Sequence, residues 1–280
     1  MASLKEVKGR IASVNNTRKI TSAMKMVASA KLHKAQAAIE NMLPYERRLN
    51  HILTNFLSAD SEVESPFIVK REVKRVAIVV FASNTSLCGG FNANIIRHLT
   101  VILDEYKSLG MENVLLYPVG RKVAEGVKKL GLADKPSYQE ASALAEDLMR
   151  RFLHRDIDKV ELLYNHFRST AVQVLTRETY LPIDLTQEKK EEDKGRIPDY
   201  IVEPSVDVVM EELLPKMFCM KMFTVLLDSN ASEHAARTMA MQIATDNAND
   251  LLQDLTVMYN KSRQQAITNE LLDIVGGSMA

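Results

Sequence analysis

Apolar residues recur at helical spacing near the start of the chain. The first four advance by three, four and three positions, which is the spacing of a coiled-coil seam. They are Leu4, Val7, Ile11 and Val14. The pattern then continues on a shifted face at Ile20, Met24 and Val27. This change of face predicts a stutter in the heptad repeat.

A second seam lies near the other end of the chain, with steps of four, four, three, four and three residues. Its members are Ala240, Ala244, Ala248, Leu251, Leu255 and Met258. The small residues at the start of this seam would let two helices approach closely. A long helix without support is marginal in water, so we expect the two terminal segments to pair with each other in antiparallel orientation.

Glycine and proline support long helices at both ends, because both residues break helices. Neither occurs in residues 10–43 or in residues 216–275. The second of these stretches would be about 90 Å long as one helix. Most prolines and glycines lie between the two stretches, which indicates a compact middle domain.

The middle of the chain reads as an α/β domain, since short β-branched runs alternate with helical patterns. The predicted strands are residues 75–83, 113–119, 158–165 and 171–183, and the predicted helices are 92–109, 120–130 and 137–154. The last two strands are separated only by HFRST, which predicts an antiparallel hairpin. The charged stretch 187–196 is predicted to be a solvated loop.

These patterns predict an α/β fold class, in which a long antiparallel coiled coil of the N- and C-terminal helices carries an inserted Rossmann-like α/β domain. The predicted boundaries are 1–60 for the N-terminal coiled-coil helix, 61–207 for the α/β domain and 208–280 for the long C-terminal coiled-coil helix.

Charge is balanced over the whole chain, with 36 basic and 36 acidic residues among 280, but not along it. Residues 1–39 contain eight Lys or Arg and only one acid, Glu6. Such a helix could neutralise nucleic-acid phosphates or face an acidic protein surface. No aromatic residue lies between Ile11 and Leu43, and no known nucleic-acid-reading module is present. Charge alone does not decide between a nucleic acid and an acidic protein as the partner of this helix.

The stretch SLCGGFN, residues 86–92, follows a predicted strand and opens a helix, where α/β proteins often bind phosphate. It lacks GxGxxG, and no glycine in the chain precedes a lysine, so a P-loop is excluded. Gly89 and Gly90 are expected to serve a tight turn. Cys88 has no base nearby in sequence to activate it and is expected to be a buried thiol.

Metal and cofactor chemistry are not expected. The histidines show no ligand spacing, and the two cysteines form no CxxC motif. The N-terminus has no apolar signal region, and no run of 18 apolar residues occurs, so membrane association is expected only through partners.

Two terminal stretches, residues 20–36 and 244–277, resemble the gamma subunits of F-type ATP synthases. The middle agrees at LCGGFNANI (87–95), VGRK (119–122) and VEPS (202–205). ITNELLDIVGG (267–277) is similar to the family's C-terminal signature, with Gly277 where the strict pattern has alanine. Asn84, Thr85 and Ser86 also depart from the family's usual acidic, basic and glycine run.

The resemblance implies a non-catalytic rotor shaft without a cofactor, rather than an enzyme. It implies that the paired helices stand inside a ring of alpha and beta subunits, that the α/β domain binds the epsilon subunit and the c-ring, and that proton flow drives ATP synthesis on beta. With no transit peptide visible, a location at the cytoplasmic side of a bacterial inner membrane is expected rather than a mitochondrial one. The residues that the resemblance implies for alpha/beta coupling are Met24, Lys25, Arg237, Arg263, Gln264, Thr268 and Glu270.

Two other classes are kept as alternatives. One is an α/β enzyme that uses the glycine loop after the first strand, with the helices as a dimerisation arm. The other is a nucleic-acid tether built on the basic helix. Mononucleotide binding that depends on Gly89 and Gly90 would favour the enzyme, and salt-sensitive DNA binding would favour the tether.

Overall fold

The computed structural model describes residues 4–58, 66–69, 71–124, 137–183, 203 and 205–278. The chain forms two compact units. The coil unit comprises residues 1–30 and 237–280, and the α/β unit comprises residues 31–236. Both long helices contribute to both units.

The two terminal helices extend beyond the stretches that lack glycine and proline. Helix α1 spans Leu4–Ser58 and contains Pro44, and helix α5 spans Val206–Ser278 and contains Pro215. Proline inside a helix removes a hydrogen bond and crowds the preceding turn. Here burial holds the helix beside each proline: Leu49 and Leu53 follow Pro44 in α1, Leu214 directly precedes Pro215 in α5, and all three leucines lie in the hydrophobic core.

In the coil unit, α1 and α5 pack as an antiparallel pair with a regular heptad seam. The α1 seam positions are Leu4, Val7, Ile11, Val14, Arg18, Thr21, Lys25 and Ala28. The α5 seam positions are Met241, Thr245, Ala248, Leu252, Leu255, Tyr259 and Ser262. All of these side chains are buried or partly buried, so the repeat runs through the coil unit without interruption.

The predicted stutter is therefore wrong. Ile20 and Val27 are 60% and 58% exposed and lie outside the seam. On α5, Ala248 and Leu255 are buried as predicted, whereas Leu251 is 47% exposed. Met258 is likewise exposed. The spacing of apolar residues predicted the wrong contact face because polar residues occupy the middle of the seam and apolar residues lie beside it.

A polar layer crosses the middle of this seam, where three side chains of α1 hydrogen-bond to α5. Arg18 Nη1 donates to Asn249 Oδ1 at 3.3 Å, the Thr21 and Thr245 hydroxyls lie 2.8 Å apart, and Lys25 Nζ donates to Gln242 Oε1 at 2.7 Å. Numbers rise along α1 as they fall along α5, which shows the antiparallel register. Polar seam residues favour this register because a shifted pairing would lose these hydrogen bonds between the two helices.

The α/β unit is built on a four-stranded sheet in the order β2-β1-β3-β4. The strands are β1 Val76–Phe81, β2 Val114–Val119, β3 Lys159–Phe167 and β4 Gln173–Leu181. β1 pairs in parallel with β2 and β3, and β3 pairs antiparallel with β4. All four predicted strands and the predicted hairpin are confirmed.

Helices cover both faces of the sheet, and each face has its own core. The helices are α2 Phe91–Glu105, α3 Arg121–Ala124 and α4 Tyr138–Leu153. One core packs α4 and parts of α1 and α5 against residues such as Val79 and Leu162, and the other packs α2 against Ile78 and Leu163. Residues 125–136 and the charged stretch 187–196 lie outside the described residues.

A carboxyl cluster lies where α1, α5 and β4 meet in the α/β unit. Burial raises the pKa of Glu46, and the nearby carboxylates Glu178 and Asp228 raise it further. Lys221 and the Thr224 hydroxyl lower the pKa of Glu46, but by less than burial raises it. Lys221 already pairs with Glu178 at 2.9 Å. Glu46 is thus an acid whose charge opposes folding.

We predict that replacing both seam threonines by valine, Thr21→Val with Thr245→Val, stabilises the coil by about 0.5–1 kcal/mol, because both partners of a part-buried hydroxyl pair are replaced together and neither is left unsatisfied in the seam. Thermal unfolding followed by circular dichroism measures the change. Thr256→Val is the control, since Thr256 is exposed and its hydroxyl bonds only its own helix. Equal stabilisation by the control would show that the difference in helix propensity between threonine and valine is responsible, and not the removal of hydroxyl groups from the seam.

We also predict that Glu46→Gln stabilises the chain at neutral pH. A carboxyl whose pKa is raised on folding binds its proton more tightly in the folded state, so stability falls as pH rises from the ordinary value near 4.5 through the raised value. The gain in stability from Glu46→Gln should therefore be largest at pH values above the raised pKa, and it should vanish at pH values below about 4.5. Urea unfolding at several pH values measures it, with Glu40→Gln on the exposed side of α1 as control. A pH-independent difference would contradict this explanation.

Candidate partner-binding surface

The residues expected to couple the chain to partners all lie in the coil unit, but they form two separate groups. Met24 and Lys25 on α1 and Arg237 on α5 are partly buried. Arg263, Gln264, Thr268 and Glu270 are exposed in the last turns of α5. Arg237 and Arg263 are about 39 Å apart along the helix, so the candidates belong to two contact regions.

Lys25 is a member of the polar layer as well as a surface residue. Its ammonium group donates one hydrogen bond to Gln242, which leaves two of its three donors for a partner. Arg18 is held in a similar way, by Asn15 on its own helix at 2.9 Å and by Asn249 across the seam. Both cationic groups are therefore fixed on the same edge of the seam. The apolar pattern did not reveal Arg18 or Thr21, although both continue the heptad spacing.

Charge in the coil unit differs between the two helices. Up to Ala30, α1 has six Lys or Arg and one acid, Glu6, which pairs with Arg10 at 2.8 Å. On α5, an exposed row of acids recurs every fourth residue. Its members are Asp246, Asp250 and Asp254. Two unlike electrostatic surfaces are thus available to partners in this unit.

The last turns of α5 form an exposed apolar tip. The register of the polar layer, continued along the seam, places Leu4 near Ser262, so α5 extends past the described start of α1. Beyond that point its large apolar side chains are 49–67% exposed. They are Ile267, Leu271, Leu272, Ile274 and Val275. Exposed apolar clusters of this kind mark interaction sites.

The glycine loop of the α/β unit has its polar groups engaged internally. Asn92 accepts a hydrogen bond from the Ser83 backbone N–H, and its Nδ2 donates to Ser83 Oγ at 2.7 Å and lies 3.2 Å from Cys88 Sγ. Cys88 is 2% exposed, as expected for a structural thiol. Leu87 and Gly89 take left-handed φ values of 68° and 58°, which closes the tight turn assigned to the glycines.

Among the described residues, no cluster of His, Cys, Asp or Glu has three members placed to hold a metal ion. Within the same part of the chain, no helix is both long and apolar enough to cross a membrane.

Comparison with known proteins gives consistent results over the full length. The family model described as ATP synthase matches residues 3–280. An ATP synthase gamma chain from Phocaeicola vulgatus is 95% identical over 100% of both chains, and one from Bacteroides fragilis is 66% identical over 100% of both.

Solved structures share the fold at low sequence identity. A chain of the Euglena gracilis mitochondrial ATP synthase structure containing OSCP, F1 and c-ring has a TM-score of 0.66 at 18% identity, covering 99% of this chain and 93% of that chain. A chain of the central stalk and c-ring structure from Tetrahymena thermophila has a TM-score of 0.58 at 23% identity, covering 80% and 99%. The family match over residues 3–280 and the relatives at 95% and 66% identity show that the chain belongs to the ATP synthase family as one of its gamma chains.

Proposed function

We propose that the chain is the central-stalk subunit of a proton-translocating F-type ATP synthase, where it rotates with the c-ring and couples ion flow to ATP synthesis on the beta subunits. The observation that carries this proposal is the coil unit, whose seam is closed while large apolar side chains remain exposed on its outside and at its tip. A shaft inside a ring of partners needs both properties.

A shaft must transmit twist, and the coil unit suits this task. Two continuous helices have every interior backbone group hydrogen-bonded, and the polar layer resists sliding of one helix past the other. The exposed tip needs a surrounding apolar surface, because several large apolar side chains in water favour burial at roughly 25 cal/mol per Å². A ring of alpha and beta subunits would supply that surface.

Under this proposal the chain is a non-catalytic part of the complex. The coil would contact alpha and beta, and the α/β unit would bind the epsilon subunit and the c-ring, so that the chain is held peripherally at the cytoplasmic side of the inner membrane. Met24, Lys25 and Arg237 would form one coupling region, and Arg263, Gln264, Thr268 and Glu270 the other. Lys25, with free donors on a basic helix, suits acidic groups on beta.

The proposal is tested by mild detergent extraction of an affinity-tagged chain from its native membranes. We expect alpha and beta subunits to be recovered with it in threefold molar excess, together with epsilon and the c-ring, and the eluate to hydrolyse ATP. The chain alone, expressed separately, should show no hydrolysis. Recovery of the tagged chain without alpha and beta under these conditions would contradict the proposal.

We predict that Leu271→Gln with Leu272→Gln weakens assembly without unfolding the chain. Both side chains are largely exposed, at 58% and 64%, so they add little to the isolated fold but would lie against the ring. Reconstitution with alpha and beta should yield about tenfold less complex at limiting concentration. Asn269→Gln, on the same exposed turn, is the matched control. Equal assembly of the double variant and the control would show that the tip is not in contact with the ring.

A further inference from the structure

The last part of β3 extends beyond its pairing with β1. The parallel ladder between these two strands ends at the pair Val80 and Leu163, whereas β3 continues to Phe167 and stays paired with β4 up to that residue. Beyond Leu163, one edge of β3 therefore has no strand beside it in the part of the chain that the structure describes. Buried backbone groups on such an edge need other hydrogen-bond partners.

The turn of the hairpin shows which backbone groups point to this open edge. The Arg168 N–H donates across the hairpin to the Val172 carbonyl oxygen at 3.3 Å, so the backbone groups of Arg168 face β4. Backbone groups of successive residues point to opposite edges of a strand. Those of Asn165 and Phe167 therefore point away from β4, toward the open edge.

Two side chains of α5 bond to these backbone groups. Ser232 Oγ donates to the Asn165 carbonyl oxygen at 2.8 Å, and Asp228 Oδ1 accepts from the Phe167 N–H at 2.8 Å. Asp228 Oδ2 also lies 2.6 Å from His166 Nδ1, which holds the carboxylate in place. We call the four residues Asn165, Phe167, Asp228 and Ser232 the edge joint.

The residues around the edge joint bring α5 close to the strand. Ser232, Ala231 and Ala235 are completely buried, and their short side chains let the helix backbone approach β3. Asp228 and Ser232 are four residues apart and so lie on one face of the helix. The edge joint thus places a polar pair among small residues, where a helix ordinarily packs an apolar stripe against a sheet.

A second polar contact fixes α5 nearer its start. Tyr180 of β4 is buried, and its hydroxyl donates to the Phe218 carbonyl oxygen at 2.8 Å. Phe218 is ten residues before Asp228, which is about 15 Å along the helix. Apolar packing has no preferred direction, whereas hydrogen bonds are directional. Two bonded points therefore oppose both rotation of α5 about its axis and sliding along it.

We propose that Asp228 and Ser232 are positioning residues that transmit torque between the sheet of the α/β unit and α5. The proposal rests on the proposed function, in which the α/β unit is turned by the c-ring. Helix α5 continues from the edge joint to Ser278 without interruption, so a turning force applied at the sheet passes into the coil along this helix. The edge joint adds to the apolar core a directional link that opposes slip of the helix under load.

The test separates ATP hydrolysis from its coupling to proton transport. Ser232→Ala removes one bond of the edge joint, and Asp228→Ala removes the other. Asp228→Asn keeps an oxygen that can accept from the Phe167 N–H. Asp147→Ala is the matched control, because Asp147 is a partly buried carboxylate that pairs with Arg151 of its own helix at 2.9 Å. Each chain is assembled with its native partner subunits in vesicles, and subunit recovery, ATP hydrolysis and ATP-driven proton uptake are measured against several opposing proton gradients.

We expect both alanine variants of the edge joint to recover alpha and beta and to hydrolyse ATP within about 1.5-fold of the unchanged chain, but to pump about twofold to fivefold fewer protons per ATP at the largest gradient. The loss should grow with the gradient, because the joint then bears more load. Asp228→Asn and Asp147→Ala should pump as the unchanged chain does. A purely structural role would instead lower the temperature of thermal unfolding and leave the protons pumped per ATP unchanged at every gradient.

Ser232→Ala decides the test even where Asp228→Ala does not fold, because it deletes a single hydroxyl group. An unchanged number of protons per ATP in Ser232→Ala at the largest gradient would overturn the inference. It would also be overturned by a loss in Asp147→Ala as large as that in Ser232→Ala, or by equal losses in Asp228→Asn and Asp228→Ala. Failure of the unchanged chain to recover alpha and beta would instead contradict the proposed function itself.

Discussion

The antiparallel pairing of the two terminal helices is the constraint on which the surface of the coil unit depends. Its register is fixed by three polar contacts in the seam, of which the two threonine hydroxyls at 2.8 Å are the most enclosed. A seam made only of apolar residues could slide by a heptad at low cost, because equivalent positions would still be filled. Only the observed pairing makes all three contacts across the seam, although the threonine hydroxyls also bond carbonyls of their own helices.

That register also decides which residues are left on the outside. Once Arg18, Thr21 and Lys25 occupy seam positions, the apolar residues between them must lie on the flanks. Stability is given up in the seam, since polar side chains replace apolar ones there, and apolar surface is exposed to water. Under the proposed function both costs have a reason, because partner subunits would bury the same surface.

The α/β unit was predictable from sequence to a greater degree than the coil. Val76–Phe81 reads as a buried strand from its composition alone, and the five residues between β3 and β4 leave room only for a hairpin. Gly120 shows what local patterns cannot supply. Its φ is 110°, and a Cβ there would lie 2.1 Å from the Ala82 carbonyl oxygen. That constraint comes from the pairing of β1 with β2, which brings distant residues together.

The coil shows why hydrophobic spacing predicted the partner of each helix but not its contact face. Apolar spacing assumes that burial alone chooses the face, and this holds where Val7 and Leu255 are buried. It fails at Ile20, which is exposed outside the seam, and at Thr21, whose hydroxyl pairs with another polar group in the seam. Long basic side chains add to the difficulty, because their aliphatic stems can fill a seam while the charge reaches its edge. In this helix Arg18 and Lys25 complete the seam at its polar edge, and Ile20 and Val27, displaced from the seam, remain exposed on its outside.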